Sequence, residues 1–177
     1  MRMTDILDKE EWERFERELH EQWGVNANIY DAEGFTFTGF HNFANTLCPE
    51  IKERPAALQA ICSLSHQFMA NEARETQGTV ISQCDAGLLK VCSPVFVDGE
   101  LVGIVGACGR LLEGDEVETF LVEKASGLDG GQVEKLAGEV PVMSEEQSQA
   151  LAAHLDAFVA RVLERLASKG LSSPASG

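Results

Sequence analysis

The five cysteines of the chain are the side chains whose type most readily supports chemistry. Their number is odd and no export signal precedes them, so a disulfide framework explains them poorly. Either they are reduced core residues or some of them bind something. They are Cys48, Cys62, Cys84, Cys92 and Cys108.

Cys62 and His66 have a spacing that suits metal ligands. They stand four residues apart on a predicted helix and so share one face of it. Thiolate and imidazole groups both bind zinc. Cys48 lies just before this helix and Cys84 ends the strand just after it, so the three regions can meet. Simple packing stays open as the other interpretation, because free cysteine often behaves as a small apolar residue.

Cys92 and Cys108 fall on two strands that flank Asp98-Gly99, a strong hairpin signal. We expect both cysteines to line the core or the wall of a pocket. Glycine inside a strand often indicates that a ligand or another backbone approaches closely. The second of these strands is rich in such residues, at Gly103, Gly106 and Gly109.

A cysteine nucleophile would be Cys84 or Cys62, activated by His66 or His41. Thiolate chemistry needs a nearby base and an electropositive, partly open site. The only basic residue near Cys84 is Lys90, and no hydrolase or protease signature surrounds any of the cysteines. We therefore expect that the protein is not an enzyme.

Helices and strands alternate along the chain and must position these residues. The pattern predicts an α+β domain, in which helices cover an antiparallel sheet and long helices stand at both ends. We expect an amino-terminal helix over 1–24, a core over 25–142, a carboxy-terminal helix over 143–170 and a disordered tail over 171–177. The predicted elements are a helix over 4–23, a hairpin over 25–40, a helix over 55–77, strands over 79–84, 88–97 and 100–112, helices over 115–125 and 129–138, and a last helix that begins at the capping box of Ser144–Gln147.

Charge and composition exclude several classes of partner. The net charge is −15, from 14 basic and 29 acidic residues, and this field repels nucleic acid and anionic lipid. No apolar run approaches the ~18 residues that span a bilayer, and the acidic amino terminus is not a secretory signal. We expect a cytoplasmic protein without direct nucleic-acid or membrane binding.

Both terminal helices carry an apolar stripe, as in Trp12, Phe15 and Leu19 near the start and Leu151 and Leu155 near the end. A single small sheet does not obviously cover both stripes. They predict a homodimer in which the terminal helices pair and transmit a conformational change. The alternative is that both stripes pack on the domain's own core.

Residues 42–110 also carry a family pattern. The segment resembles the PocR sensory domain, a PAS-like ligand-binding module at the front of bacterial transcription regulators and signalling kinases. The matching features are Asn42-Phe43 followed by Cys48, Cys62 in the helix, the run Cys84-Asp85-Ala86-Gly87-Leu88, Pro94, the turn at Asp98-Gly99, and Leu101-Val102-Gly103 leading to Gly109.

The resemblance implies a sensor that holds a small organic molecule on the concave face of a PAS-like sheet. The family pattern keeps cysteines at Cys48, Cys62 and Cys84, which implies that these act together, with His66 or Cys108 as a fourth ligand. Such a set suits zinc or an iron–sulfur cluster. A redox or metal sensor that holds this centre directly is therefore the alternative function.

We place the ligand pocket between the second helix and the hairpin over 88–112. Arg110 stands where the family usually has Gln, which changes the polarity predicted for the pocket wall. The expected ligand-binding residues are Phe43, Cys84, Gly87, Leu88, Cys92, Gly106, Cys108 and Arg110, and the expected metal ligands are Cys48, Cys62, His66 and Cys84.

No helix-turn-helix, kinase or methyl-accepting segment follows the last predicted helix. We therefore expect output through a separate signalling or regulatory protein, unless the chain is part of a longer regulator.

Overall fold

The computed structural model describes residues 1–168 and residue 170, so the tail predicted over 171–177 lies outside the described residues. Its α+β class is confirmed. The helices are α1 (Met3–Ile6), α2 (Lys9–Trp23), α3 (Leu47–Lys52), α4 (Pro55–Ala57), α5 (Leu64–Thr76), α6 (Thr119–Ser126), α7 (Gly130–Gly138) and α8 (Glu145–Ser168), with a π-helical segment, Leu58–Ser63, between α4 and α5. The strands are β1 (Asn26–Asp31), β2 (Val80–Gln83), β3 (Leu89–Val97), β4 (Glu100–Leu112) and β5 (Val142–Met143).

Four of the strands form an antiparallel sheet in the order β1-β4-β3-β2. β5 adds a short parallel pair with the end of β4, which the sequence did not predict. The hairpin between β3 and β4 turns at Asp98 and Gly99, whose φ angles of 51° and 81° are both positive. Two positive φ values suit the right-handed twist of paired strands, so the hairpin prediction is confirmed.

One face of the sheet is covered by α1, α2 and α8. The rings of Phe15 and Phe158 stack with centroids 3.4 Å apart, and the Trp12 indole donates a hydrogen bond to the Met3 carbonyl at 3.0 Å. The apolar stripes of both terminal helices are buried in this core. The stripes that predicted a dimer are therefore occupied within the chain itself. Their buried members include Trp12, Phe15, Leu19, Leu151, Leu155, Val159, Val162 and Leu166.

The other face of the sheet is covered by the helix that runs from α4 through the π-helical segment into α5. Met69 and Ala73 of α5 pack against Val80, Cys92 and Ile104 of the sheet. Beside this contact, α3, α6 and α7 enclose a separate apolar cluster. The domain thus has a helical layer on each face of its sheet, as the α+β pattern requires.

The first predicted helix is interrupted. α1 ends at Ile6, and the Asp8 side chain caps α2 by accepting from the Glu11 N–H at 2.7 Å. An aspartate just before a helix satisfies a backbone N–H of its first turn, so Asp8 favours the start of a new helix. The apolar periodicity continues across Asp8, so the sequence pattern predicted one helix instead of two.

The hairpin predicted over 25–40 is wrong in its second half, which forms only an isolated bridge between Tyr30 and Thr36. Asp31 instead draws the chain into a turn, since its carboxylate accepts from the Glu33 and Phe35 N–H groups. At the open edge of β1, the Asn42 side-chain amide accepts a hydrogen bond from the Ala27 N–H at 2.7 Å and donates one to the Ala27 carbonyl at 2.9 Å. A side chain therefore replaces the missing strand.

Gly103 fixes how closely β1 and α1 approach β4. A Cβ there would clash with the Tyr30 carbonyl oxygen and lie 2.6 Å from the Met3 side chain. We predict that Gly103→Ala lowers the free energy of unfolding by about 2–3 kcal/mol, because backbone atoms cannot yield as a flexible side chain would.

Gly138→Ala is the matched control, because a Cβ at that helix end meets nothing within 4 Å. It should keep the stability of the wild type or raise it by up to about 1 kcal/mol, because alanine favours the helix over glycine. Urea titration of both variants measures the two effects, and equal stabilities would contradict the close-approach argument.

Candidate functional site

A cavity with a volume of about 850 Å³ lies beside β1. Residues 33–43, which leave the sheet after β1, form one wall of it. α3, the π-helical segment and the start of α5 form the other. Aromatic rings, apolar side chains and a few polar groups line it, which is the usual composition of a site for a small organic molecule.

The floor of the cavity is a stacked pair of rings. Tyr30 of β1 and His66 of α5 lie with centroids 3.9 Å apart at an angle of 29°. Gly106 on the neighbouring strand makes room for this pair, because a Cβ there would lie 3.1 Å from the Tyr30 ring. On the other side, a Cβ at Gly34 would lie 3.3 Å from the His66 ring. Two glycines thus allow the sheet and the turn to close on the rings.

His66 is a buried polar residue without partners. Neither ring nitrogen has a hydrogen-bond partner among the described residues, although the side chain is buried. Burial, with a smaller contribution from the charge of Lys90, lowers the pKa of His66 to about 4. The ring is therefore neutral near pH 7 and carries one donor and one acceptor toward the cavity region.

Glu16 is the second such group. It comes from α2, and its side chain passes beneath β1, where Oε1 accepts from the Ile29 N–H at 2.9 Å and from the Thr38 hydroxyl at 3.0 Å. Its other oxygen, Oε2, is buried with no hydrogen-bond partner in the part of the chain that the structure describes, and the residue is 0% exposed. Burial raises the pKa of Glu16 to about 7, and the bonds from Thr38 and Ile29 only partly oppose this.

The cysteines gather around Cys108. Burial is the main cause that raises the pKa of Cys48 to about 12 and of Cys62 and Cys84 to about 11, and proximity to Cys108 is the second cause in each case. Burial likewise raises the pKa of Cys92 to about 12. These four thiols are therefore protonated near pH 7, whereas a cysteine nucleophile reacts as the thiolate.

The predicted metal set does not form a ligand cluster. Among the described residues, no three His, Cys, Asp or Glu side chains are arranged to hold a metal ion. Side-chain amides contact two of the sulfurs instead, with Asn45 Nδ2 at 3.3 Å from Cys48 Sγ and Asn26 Nδ2 at 3.7 Å from Cys108 Sγ. Zinc or an iron–sulfur cluster does not fit this arrangement, and the metal site stays a prediction without geometric support.

The cavity lies nearer to β1 than predicted. Of the expected site residues, only Phe43, Cys62 and His66 line it. Gly106 supports the floor from beneath, as described above. The hairpin over 88–112 contributes less than expected because the cavity opens beneath residues 33–43, where the second predicted strand does not form.

Three other expected ligand contacts have structural positions outside the cavity lining. Gly87 has a φ of 80°, and a Cβ there would lie 2.5 Å from the Glu116 carbonyl oxygen. Glycine at this position therefore allows the loop between β4 and α6 to pack closely against it. Leu88 is buried in the cluster beside α3. The Arg110 guanidinium bonds the Val142 carbonyl at 2.6 Å and thereby ties β4 to β5. Arg110 therefore does not set the polarity of the cavity wall.

The sequence interpretation missed Glu16 and Tyr30, the two residues that join the cavity to the sheet and to α2. A signal for Glu16 was present. It follows Trp12 by four residues and precedes Leu19 by three, so an acidic residue stands within the apolar stripe. A carboxylate in a stripe that becomes core must find hydrogen-bond donors or a ligand.

The α+β domain has an antiparallel sheet, helices on both faces and a lined cavity, an architecture consistent with a PAS-like sensory fold. Residues 5–166 match the family model described as the sensory domain found in PocR. The chain therefore belongs to the PocR sensory domain family, a family of sensory domains with a ligand-binding role. Comparison with curated proteins and with solved structures gives no match.

No helix within residues 1–168 combines the length and apolar character that a membrane crossing requires.

Glu16 makes stability depend on pH. Its pKa of about 7 in the folded chain exceeds the ordinary value of 4.5, so the folded state binds more protons than the unfolded state between these values. Stability due to this group therefore falls as pH rises from about 4.5 to about 7. We predict that Glu16→Gln, relative to wild type, gains roughly 2–3 kcal/mol of stability between pH 5 and pH 8.

Glu21 is an exposed carboxylate on the same helix, so Glu21→Gln is the control. Its stability relative to wild type should change little between pH 5 and pH 8. Urea unfolding of the three proteins at both pH values measures the difference. An advantage of Glu16→Gln that is the same at pH 5 and pH 8 would show that the carboxylate is not buried in this way.

Proposed function

We propose that the protein is a sensor that binds a small organic molecule in the 850 Å³ cavity and passes the event to its terminal helices. The observation that carries this proposal is a pair of cavity-lining residues, Glu16 and His66, whose buried Oε2 and ring nitrogens have no hydrogen-bond partner within the described residues. Buried polar atoms in folded proteins nearly always have partners. A bound molecule would supply those partners.

The contacts of α2 support a route from cavity to surface. Glu16 lies on α2, and its neighbour Phe15 stacks on Phe158 of α8. Nearer the end of α8, the Arg165 guanidinium lies 3.2 Å from the Glu11 carboxylate. A ligand that engages Glu16 therefore acts on a helix in contact with α8. Two packings of this helical layer would then differ in ligand affinity, and the ligand would shift their populations.

The regulatory context belongs to the same proposal. We place the protein in the cytoplasm as a regulator without catalytic activity, which acts through a separate signalling or regulatory protein. Family membership and a net charge of −15 support a protein partner over nucleic acid. A homodimer stays a prediction. The apolar stripes that suggested it give it no support, because they pack within the chain.

We predict that small organic molecules bind in the cavity and perturb its lining residues. Backbone and side-chain NMR spectra recorded against a library of such molecules, varied in charge and shape, measure this. The largest shifts should map to residues 33–43, the π-helical segment and His66. A library that yields no binder, or binders that map elsewhere, would contradict the proposed function.

A pair of matched variants tests whether the cavity is the binding site. Gln59 lies at the cavity and Gln132 on α7 does not, although both are exposed helical glutamines. Gln59→Trp should weaken any cavity binder by about tenfold or more, because an indole fills space that the ligand needs. Gln132→Trp should leave the affinity unchanged.

A further inference from the structure

The wall of the cavity carries more negative than positive charge. Its carboxylates belong to Glu16, Glu33 and Glu53. Among the described lining residues, Lys52 alone is a lysine or arginine. His66 adds no positive charge near pH 7, because burial lowers its pKa to about 4. Such a wall attracts a positively charged ligand and repels a negatively charged one.

Glu16 lines the cavity, and one oxygen of its carboxylate lacks a hydrogen-bond donor among the described residues. Oε1 already accepts two hydrogen bonds, from the Ile29 N–H and the Thr38 hydroxyl, whereas the buried Oε2 accepts none. An ionised carboxylate can only accept, so the group that satisfies Oε2 must donate. A charged donor forms about twice as strong a bond as a neutral one.

The aromatic rings of the wall already lie against cations. The Arg17 guanidinium lies 4.5 Å from the centre of the Phe40 ring, and the Lys52 ammonium lies 5.3 Å from the centre of the Phe43 ring. Both rings line the cavity, together with Tyr30. Aromatic faces attract cations through their quadrupole, most strongly where water is excluded.

We propose that the molecule bound in this cavity is an organic amine, whose ammonium group donates to Glu16 Oε2 and whose apolar body lies among the aromatic side chains. The inference rests on the proposed function and specifies its ligand class. The His66 ring offers one further acceptor to the ammonium, and Leu58 and Phe35 give the apolar body a surface near the mouth.

Three probes of matched shape test the charge preference. They are phenethylamine, 2-phenylethanol and 3-phenylpropionate, titrated into the wild-type protein at pH 8 by calorimetry. The amine should bind at least about tenfold more tightly than the alcohol, which corresponds to the advantage of a charge-assisted bond. The carboxylate should bind most weakly of the three.

Glu16→Gln tests the proposed contact itself. It should weaken amine binding by about tenfold or more while changing alcohol binding by less than about threefold. Glu21→Gln removes the same charge from an exposed position on the same helix, so it corrects for the general field of the protein. It should leave the preference for the amine intact.

The pH dependence gives a second readout. Because burial raises the pKa of Glu16 to about 7, amine affinity should fall between pH 8 and pH 6 in wild type and not in Glu16→Gln. Around Glu16 lie the Glu13 carboxylate on its own helix and the Tyr30 phenol of β1, whose raised pKa keeps it neutral. His41 also lines the cavity, so the difference between the two proteins is the measured quantity.

Several outcomes would overturn the amine assignment. The alcohol could bind as tightly as the amine, Glu16→Gln could keep the preference, or none of the probes could bind. In each case, the proposed function would still stand if other molecules from the library bind in the cavity. If no molecule binds there, both the proposed function and the amine assignment are wrong. If Glu16→Gln does not fold, the wild-type series and its pH dependence decide alone.

Discussion

The buried carboxylate of Glu16 is the interaction on which the arrangement of the site depends. One oxygen joins α2 to β1 through the Ile29 N–H and to the cavity wall through the Thr38 hydroxyl. The other oxygen has no partner among residues 1–168, so the cost of burying the charge is only partly offset. An apolar residue here would remove the buried charge but would leave the Ile29 N–H without its acceptor. The domain thus retains a destabilised group where its cavity meets its terminal helices, as functional sites commonly do.

A cavity beside β1 requires that this edge of the sheet stays free of a fifth antiparallel strand. Side chains hold the wall in its place. Asn42 satisfies both backbone groups of Ala27, and the Asn26 carboxamide oxygen accepts from the Ala44 N–H. The Glu13 carboxylate accepts from the Gly39 N–H at 2.7 Å. An irregular wall fixed by side chains protects the strand edge and leaves a volume that a paired strand would fill.

Local signals predicted most of the fold and little of the site. The Asp98-Gly99 turn and the reciprocal bonds between Ser144 and Gln147 form as the sequence indicates, because short-range geometry decides both. The cavity depends on contacts between distant segments, such as Glu16 with Thr38, and on the π-helical turn that precedes His66. Periodicity does not report such contacts. The cysteines attracted attention by their type, yet Cys62 is the one cysteine among the described residues that line the cavity.

The buried carboxylate also explains how one group could serve both binding and transmission. A ligand that donates to Glu16 Oε2 would remove the unmet acceptor, so it would stabilise whichever packing of α2 keeps that oxygen at the cavity. Linkage requires the reverse as well: anything that holds α2 and α8 in that packing raises ligand affinity by the same factor. The Phe15–Phe158 stack joins the two helices directly. A partner that contacts α8 would therefore sense the cavity without touching it.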